Sequence, residues 1–214
     1  MEDYKQMAKN DFTIRIPSLA KETMPLPDPE LLQFYRDCEN RVIWLIDEIG
    51  DEVYSIIQMI LHFNKEDEDI EPEKRKPIRL IIASPGGSLE CARSLVAVMR
   101  LSVTPIYTIA VGSVASAASM IYLASNRKYA TQGASFLFHQ GSCDNISGNY
   151  AEVIAFMYNY QKVISDMMEF YKTHTKFPSE VIEENIQQDW YISLDEALEN
   201  GVVDEVIEDI SILL

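Results

Sequence analysis

A chain of 214 residues, 47% hydrophobic and 24% charged, has the size and composition of one soluble globular domain, and folding should bury roughly 70% of its unfolded surface. Eighteen Lys and Arg against 34 Asp and Glu leave a formal charge of -16, which repels phosphate backbones and anionic lipid and argues against nucleic acid or a membrane surface as partner. Three cysteines, Cys38, Cys91 and Cys143, lack metal-ligand spacing and imply neither a disulfide framework nor a zinc site. With no signal-peptide pattern and no apolar run near the ~18 residues of a membrane span, the sequence reads as cytoplasmic.

Residues 1–29 are polar, then punctuated by Pro17, Pro25, Pro27 and Pro29 around a β-like patch at 12–16, and read as an N-terminal arm; residues 30–214 read as a single domain. A short helix is predicted from Pro29 through Tyr35, and the apolar, β-rich run Arg41 to Ile46 predicts a buried strand. Val53, Ile56, Ile57, Ile60, Leu61 and Phe63 recur at the spacing of an amphipathic helix. Lys65 to Pro77 is a charge run with no apolar face, expected to be an exposed, solvated connector. Strand-helix alternation continues: Ile78 to Ala83 as strand, Leu89 to Met99 as helix, Ile106 to Val111 as strand, Ala115 to Ser125 as helix. Lys128 to Thr131 and Ser135 to His139 read as two short strands. Asn149 to Thr175 carries a long helical stripe of methionines and aromatics, expected as core or subunit contact rather than a cofactor site. Pro178 to Ile186 predicts a short helix and Trp190 to Ile192 a short strand. Ser193-Leu194-Asp195-Glu196 has capping-box spacing, with Gly201 placed to end the helix it starts and Val202 to Ile207 extended after it. The alternation implies an α/β fold.

Three strand-like runs end at residues able to do chemistry: IRLIIASPGGS at Ser84 to Ser88, IYTIAVGSVASAAS at Gly112 to Ser116, and ASFLFHQ at His139. The first two endings read as glycine-marked turns, and strand ends are where open α/β folds place active sites. Ser116 sits at a strand-to-helix turn, where free backbone N–H groups suit a developing oxyanion. The N–H groups of Ala117 and Gly87 are candidate oxyanion donors. By local sequence Ser113 and Ser119 rank equal to Ser116 as nucleophile. His139 is one of three histidines, with His62 in a predicted helix and His174 at a helix end, and is the candidate base. No cofactor and no metal are implied.

Taken together, RVIWLIDEIGDEV, SPGGS, TIAVGSVASAASM, FLFHQ and QQDWYISLDEALENGVVDEVI resemble, in the same order, the proteolytic subunit of the Clp protease, ClpP, over about residues 40–207. The resemblance implies a crotonase-like α/β fold of repeated strand-strand-helix units with a protruding long helix and strand handle. It implies a serine endopeptidase acting on unfolded polypeptides; residues 1–29, read as an arm or axial loop, are unlike the family's usual axial-pore loop. It places the nucleophile on Ser116, the base on His139, the orienting carboxylate on Asp189 and the oxyanion amides at Gly87 and Ala117. It implies a homo-oligomer of seven-membered rings, single or paired, enclosing a chamber, and an ATP-dependent Clp-type unfoldase as partner. Val114 replaces an alanine, Ala117-Ala118 stand where Met-Gly is usual, Gly141 stands where proline is usual, and residues 141–148 replace a glycine-rich strand. The form GSVASAAS resembles divergent or phage-associated members. Two rivals share the fold: an acyl-CoA hydratase or isomerase, and a non-catalytic assembly subunit.

Overall fold

The computed structural model describes residues 28–143, 146–209 and 211. The chain divides into two compact units, Met1–Phe34 and Tyr35–Leu214. Of the first, residues 28–34 are described, and helix α1 (Pro29–Glu39) begins there at Pro29; the β-like patch at 12–16 lies outside the described residues.

The second unit alternates strands and helices: β1 (Val42–Ile49), α2 (Val53–Glu66), β2 (Ile78–Gly87), α3 (Leu89–Leu101), β3 (Ile106–Ala115) and α4 (Ala117–Leu123). Then come β4 (Arg127–Ala130), β5 (Ser135–Phe138), α5 (Tyr150–His174), α6 (Ser179–Asn185), β6 (Trp190–Ile192), α7 (Leu194–Glu199) and β7 (Glu205–Val206). β1, β2, β3, β4 and β7 lie side by side in that order, all parallel. β5 joins the same edge of β3 farther along, and β6 pairs antiparallel with β5.

Side-chain alternation along the strands builds two apolar faces. Ile43 and Leu45 of β1, Ile78, Leu80 and Ile82 of β2, and Ile106 and Ala110 of β3 point into the main core with α2, α3 and α4. Val42, Ile81, Ile109 and Tyr129 form a smaller cluster on the opposite face. On that face Trp44 and Ile46 of β1 are each 48% exposed. A parallel sheet is ordinarily covered on both faces, so this chain leaves part of its second face to water. α5 is similar: of its stripe only Met167, Phe170 and Tyr171 are buried, while Phe156 and Met157 are exposed.

The long helix and both signals at the C-terminal end appear as expected. Asn149 and Ser193 each form a full capping box, closing α5 and α7 at their N-termini, and Gly201 takes φ 68° just past α7. Three expectations are corrected. The Ser84 to Gly87 segment is the end of β2 rather than a turn, and Gly112 to Ala115 is the end of β3, both because each remains paired to a neighbouring strand. The helix expected from Ala115 begins at Ala117, because Ala115 is still paired with Leu137.

The third correction falls in the charge run. Asp67 is fully buried, because Arg41 donates to both its carboxylate oxygens at 2.7 and 2.8 Å and the Thr104 hydroxyl donates at 2.7 Å. The Arg41 guanidinium holds the Asp67 carboxyl below its usual range. A depressed carboxylate stabilises the fold fully above its unfolded pKa of about 3.9, and that contribution is lost as pH falls through the lower folded value. Arg41→Met should therefore destabilise the protein by about 3–5 kcal/mol at neutral pH by leaving a buried charge. The deficit, measured by urea unfolding, should shrink below about pH 4.

Candidate active site

β5 pairs on both sides with strands that end or begin at a functional group. Its register with β3 sets Ala115 beside Leu137, and the Ser116 N–H donates to the Leu137 carbonyl at 2.9 Å. Its antiparallel register with β6 sets Phe138 opposite Trp190. The residues one step beyond, His139 and Asp189, therefore face each other, and Ser116 lies alongside. His139 Nε2 is 2.6 Å from Ser116 Oγ, and His139 Nδ1 is 3.0 Å from Asp189 Oδ1. A carboxylate can only accept, so Nδ1 carries the proton and Nε2 offers its lone pair to the serine hydroxyl. The sequence-predicted Ser116, His139 and Asp189 are thus brought together.

Aromatic packing fixes this arrangement from below. Phe138 packs edge-on against Trp190, with centroids 5.8 Å apart, and stacks on Tyr171 of α5 at 4.4 Å. Trp190 also packs on Phe177 at 4.7 Å. His139 and Asp189 are the immediate chain neighbours of this cluster, and neither backbone can shift without disturbing it.

Ser116 has φ 56° and ψ -128°, a region costly for any residue with a Cβ, by about 1–3 kcal/mol. The turn is held by close approach. A Cβ at Gly86 would lie 2.6 Å from Ser116 Cβ and 2.7 Å from the Ala115 carbonyl oxygen, and Gly86 itself has φ 99°. Gly86 is in turn anchored by Ser84, whose hydroxyl accepts from the Gly86 N–H at 3.1 Å and donates to the Asp47 carbonyl. Ser84 is therefore a buried brace. Bulges sit beside this point in both ladders, one where Ser84 and Pro85 of β2 lie opposite Asp47 of β1 and one in β3 between Ala110 and Val114. Such bulges re-aim strand ends next to active sites.

Gly87 and Ala117 line one cleft of about 960 Å³ together with Ser116 and His139. Phe156, Tyr160, Val163 and Met167 from α5, and Arg93 and Glu90 from α3, also line it. Of the rival serines, Ser113 is exposed and Ser119 is fully buried. His62 lies on α2 beside Glu66, and His174 stacks on Phe170. Gly141 takes φ 81°, which the fixed ring of a proline cannot adopt, and its carbonyl accepts from the Tyr160 hydroxyl at 3.3 Å. The described residues between β5 and α5 carry no strand.

Sequence reasoning missed the supporting roles of Gly86, Ser119, Phe138 and Tyr171. The first three lay inside runs it had singled out, but nothing local distinguished a brace from a reacting group.

Residues 31–210 match the Clp protease family. The chain belongs to the Clp protease family. Among solved structures this Clp protease chain is similar to a point mutant of ClpP1 from Listeria monocytogenes, at 20% identity and a TM-score of 0.71. The match covers 83% of this chain and 96% of that one. The fold is the ClpP-type, crotonase-like α/β fold that the ordered motifs implied. Among the described residues of this Clp protease chain no helix is long and apolar enough to cross a membrane.

Gly86→Ala should force the Ser116 turn open, since the new methyl has no room. The variant should lose roughly 1–3 kcal/mol of stability and most reactivity at Ser116, read by urea unfolding and by labelling with a serine-directed fluorophosphonate. Wild-type stability and labelling in this variant would contradict the close approach.

Proposed function

We propose that this chain is a serine endopeptidase cleaving unfolded polypeptides through an acyl-enzyme on Ser116. The observation that carries the reading is the continuous hydrogen-bond series Ser116 Oγ to His139 Nε2 and His139 Nδ1 to Asp189 at the wall of an open cleft. His139 Nε2 takes the serine proton as Oγ attacks the scissile carbonyl, and Asp189 steadies the imidazolium and its orientation. The carbonyl oxygen, now negative, accepts from the Ala117 and Gly87 N–H groups, each such donor being worth about 2.7–4 kcal/mol in the transition state. His139 returns the proton to the leaving amine, and water then attacks the ester by the same route reversed. An acyl-CoA hydratase or isomerase would use the amides but has no need of the serine, histidine and aspartate in series.

The catalytic unit is the single domain 30–214, with residues 1–29 as an arm or axial loop. It acts as a homo-oligomeric ring, single or paired, with the cleft facing an inner chamber and a Clp-type ATPase feeding substrate. Membership of the Clp protease family supports this. So do the half-exposed Trp44 and Ile46 on a parallel sheet and the exposed apolar residues of α5, surfaces suited to other copies of the chain.

Fluorophosphonate labelling should modify Ser116, located by mass spectrometry, and Ser116→Ala and His139→Ala should abolish it, with peptide hydrolysis falling by about four orders of magnitude or more. No labelling in a folded, assembled sample would favour the non-catalytic assembly subunit. Sedimentation should show a ring, and Trp44→Glu should weaken its assembly by about tenfold or more. Monomer alone under all conditions would sink the ring.

A further inference from the structure

Ser119 is wholly buried, three residues after Ser116. Its Oγ lies 2.6 Å from the Ser116 carbonyl oxygen and 2.8 Å from the hydroxyl of Tyr171, which is also fully buried. A carbonyl can only accept and a serine hydroxyl has one hydrogen. The proton order follows: Tyr171 O–H donates to Ser119 Oγ, and Ser119 O–H donates to the Ser116 carbonyl. Burial pushes the Tyr171 phenol up to about 12, so it remains a protonated donor over the working range of pH.

The Ser116 peptide groups are thereby held on both sides: its N–H by Leu137 and its carbonyl by Ser119. The Ser119 N–H also reaches that carbonyl, at 3.0 Å, but a hydroxyl approaching from the buried side fixes the plane of the peptide. That plane sets the direction of the Ala117 N–H, which belongs to the same peptide unit as the Ser116 carbonyl. Tyr171 stacks on Phe138, the residue before His139, so one α5 side chain touches the supports of both nucleophile and base.

We propose that Ser119 and Tyr171 form a positioning pair that fixes the strained Ser116 peptide, aiming Oγ at His139 and the Ala117 N–H at the reacting oxygen. This rests on Ser116 being the nucleophile. Neither hydroxyl touches substrate.

The test uses full-length protein and measures the limiting rate and half-saturating concentration of fluorophosphonate labelling at Ser116, with urea midpoints alongside. The variants are Ser119→Ala, Tyr171→Phe and the pair combined. Ser119→Ala should lower the limiting rate about tenfold to a hundredfold, as expected of a misplacement near 1 Å, with half-saturation unchanged within about twofold. Tyr171→Phe, which leaves Ser119 its acceptor and folds without an orphaned group, should lower the rate by a smaller factor. Ser119→Ala also strands the buried Tyr171 hydroxyl. The combined variant removes that orphan, so its urea midpoint should rise above that of Ser119→Ala while its labelling rate stays low. A wild-type rate in Ser119→Ala, or a rate that recovers with the midpoint in the combined variant, overturns the pair as a positioning device. Absence of wild-type labelling at Ser116 overturns the nucleophile itself, and is told apart because no variant is needed to see it.

Discussion

The site depends on one four-residue strand making hydrogen bonds to two others. β5 is parallel to β3 and antiparallel to β6, and those two registers alone decide that Ser116, His139 and Asp189 meet. The residues are 23 and 50 apart along the chain, counted from His139 to Ser116 and to Asp189. Because side chains alternate faces with period two, a slip of one residue in either pairing would turn His139 or Asp189 to the opposite side. The aromatic contacts of Phe138 with Tyr171 and Trp190 make such a slip costly, since each ring would leave its partner.

The second constraint is steric. Ser116 occupies a backbone region that other residues avoid, and it stays there because its N–H and carbonyl are both engaged and because Gly86 passes directly beneath it. Gly86 is placed by Ser84 and by the bulge at Asp47, so the outer strand β1 reaches Ser116 through two short steps. Strain of this kind persists only where surrounding structure over-determines it.

Much of the fold was legible in the sequence because the signals were local. The α5 stripe, the Ser193 capping box and the strand-helix alternation all act within a few residues. What escaped depends on partners far away. Glycine-rich stretches at the ends of β2 and β3 look like turns until the neighbouring strands that pair with them are known. Asp67 looks solvated in its charge run, yet its partners Arg41 and Thr104 lie 26 and 37 residues off. For the site, Ser113, Ser116 and Ser119 were locally equivalent; their surroundings make one exposed, one bonded to His139 and one a buried brace. Asp189 was singled out only by family resemblance, since no local feature separates it from 33 other acids (34 in all, less Asp189 itself).

Within the chain the Asp189 side chain is 59% exposed while His139 is 26% exposed. A carboxylate so open to water has its field damped by a high local dielectric and by mobile ions. Its hold on the imidazole is then directional more than coulombic: the acceptor fixes which ring nitrogen carries the proton and the plane in which the ring lies, and neither depends on ionic strength as a bare charge-charge attraction would. The ring's orientation is accordingly a property of the β5–β6 ladder, delivered through a hydrogen bond that salt leaves in place.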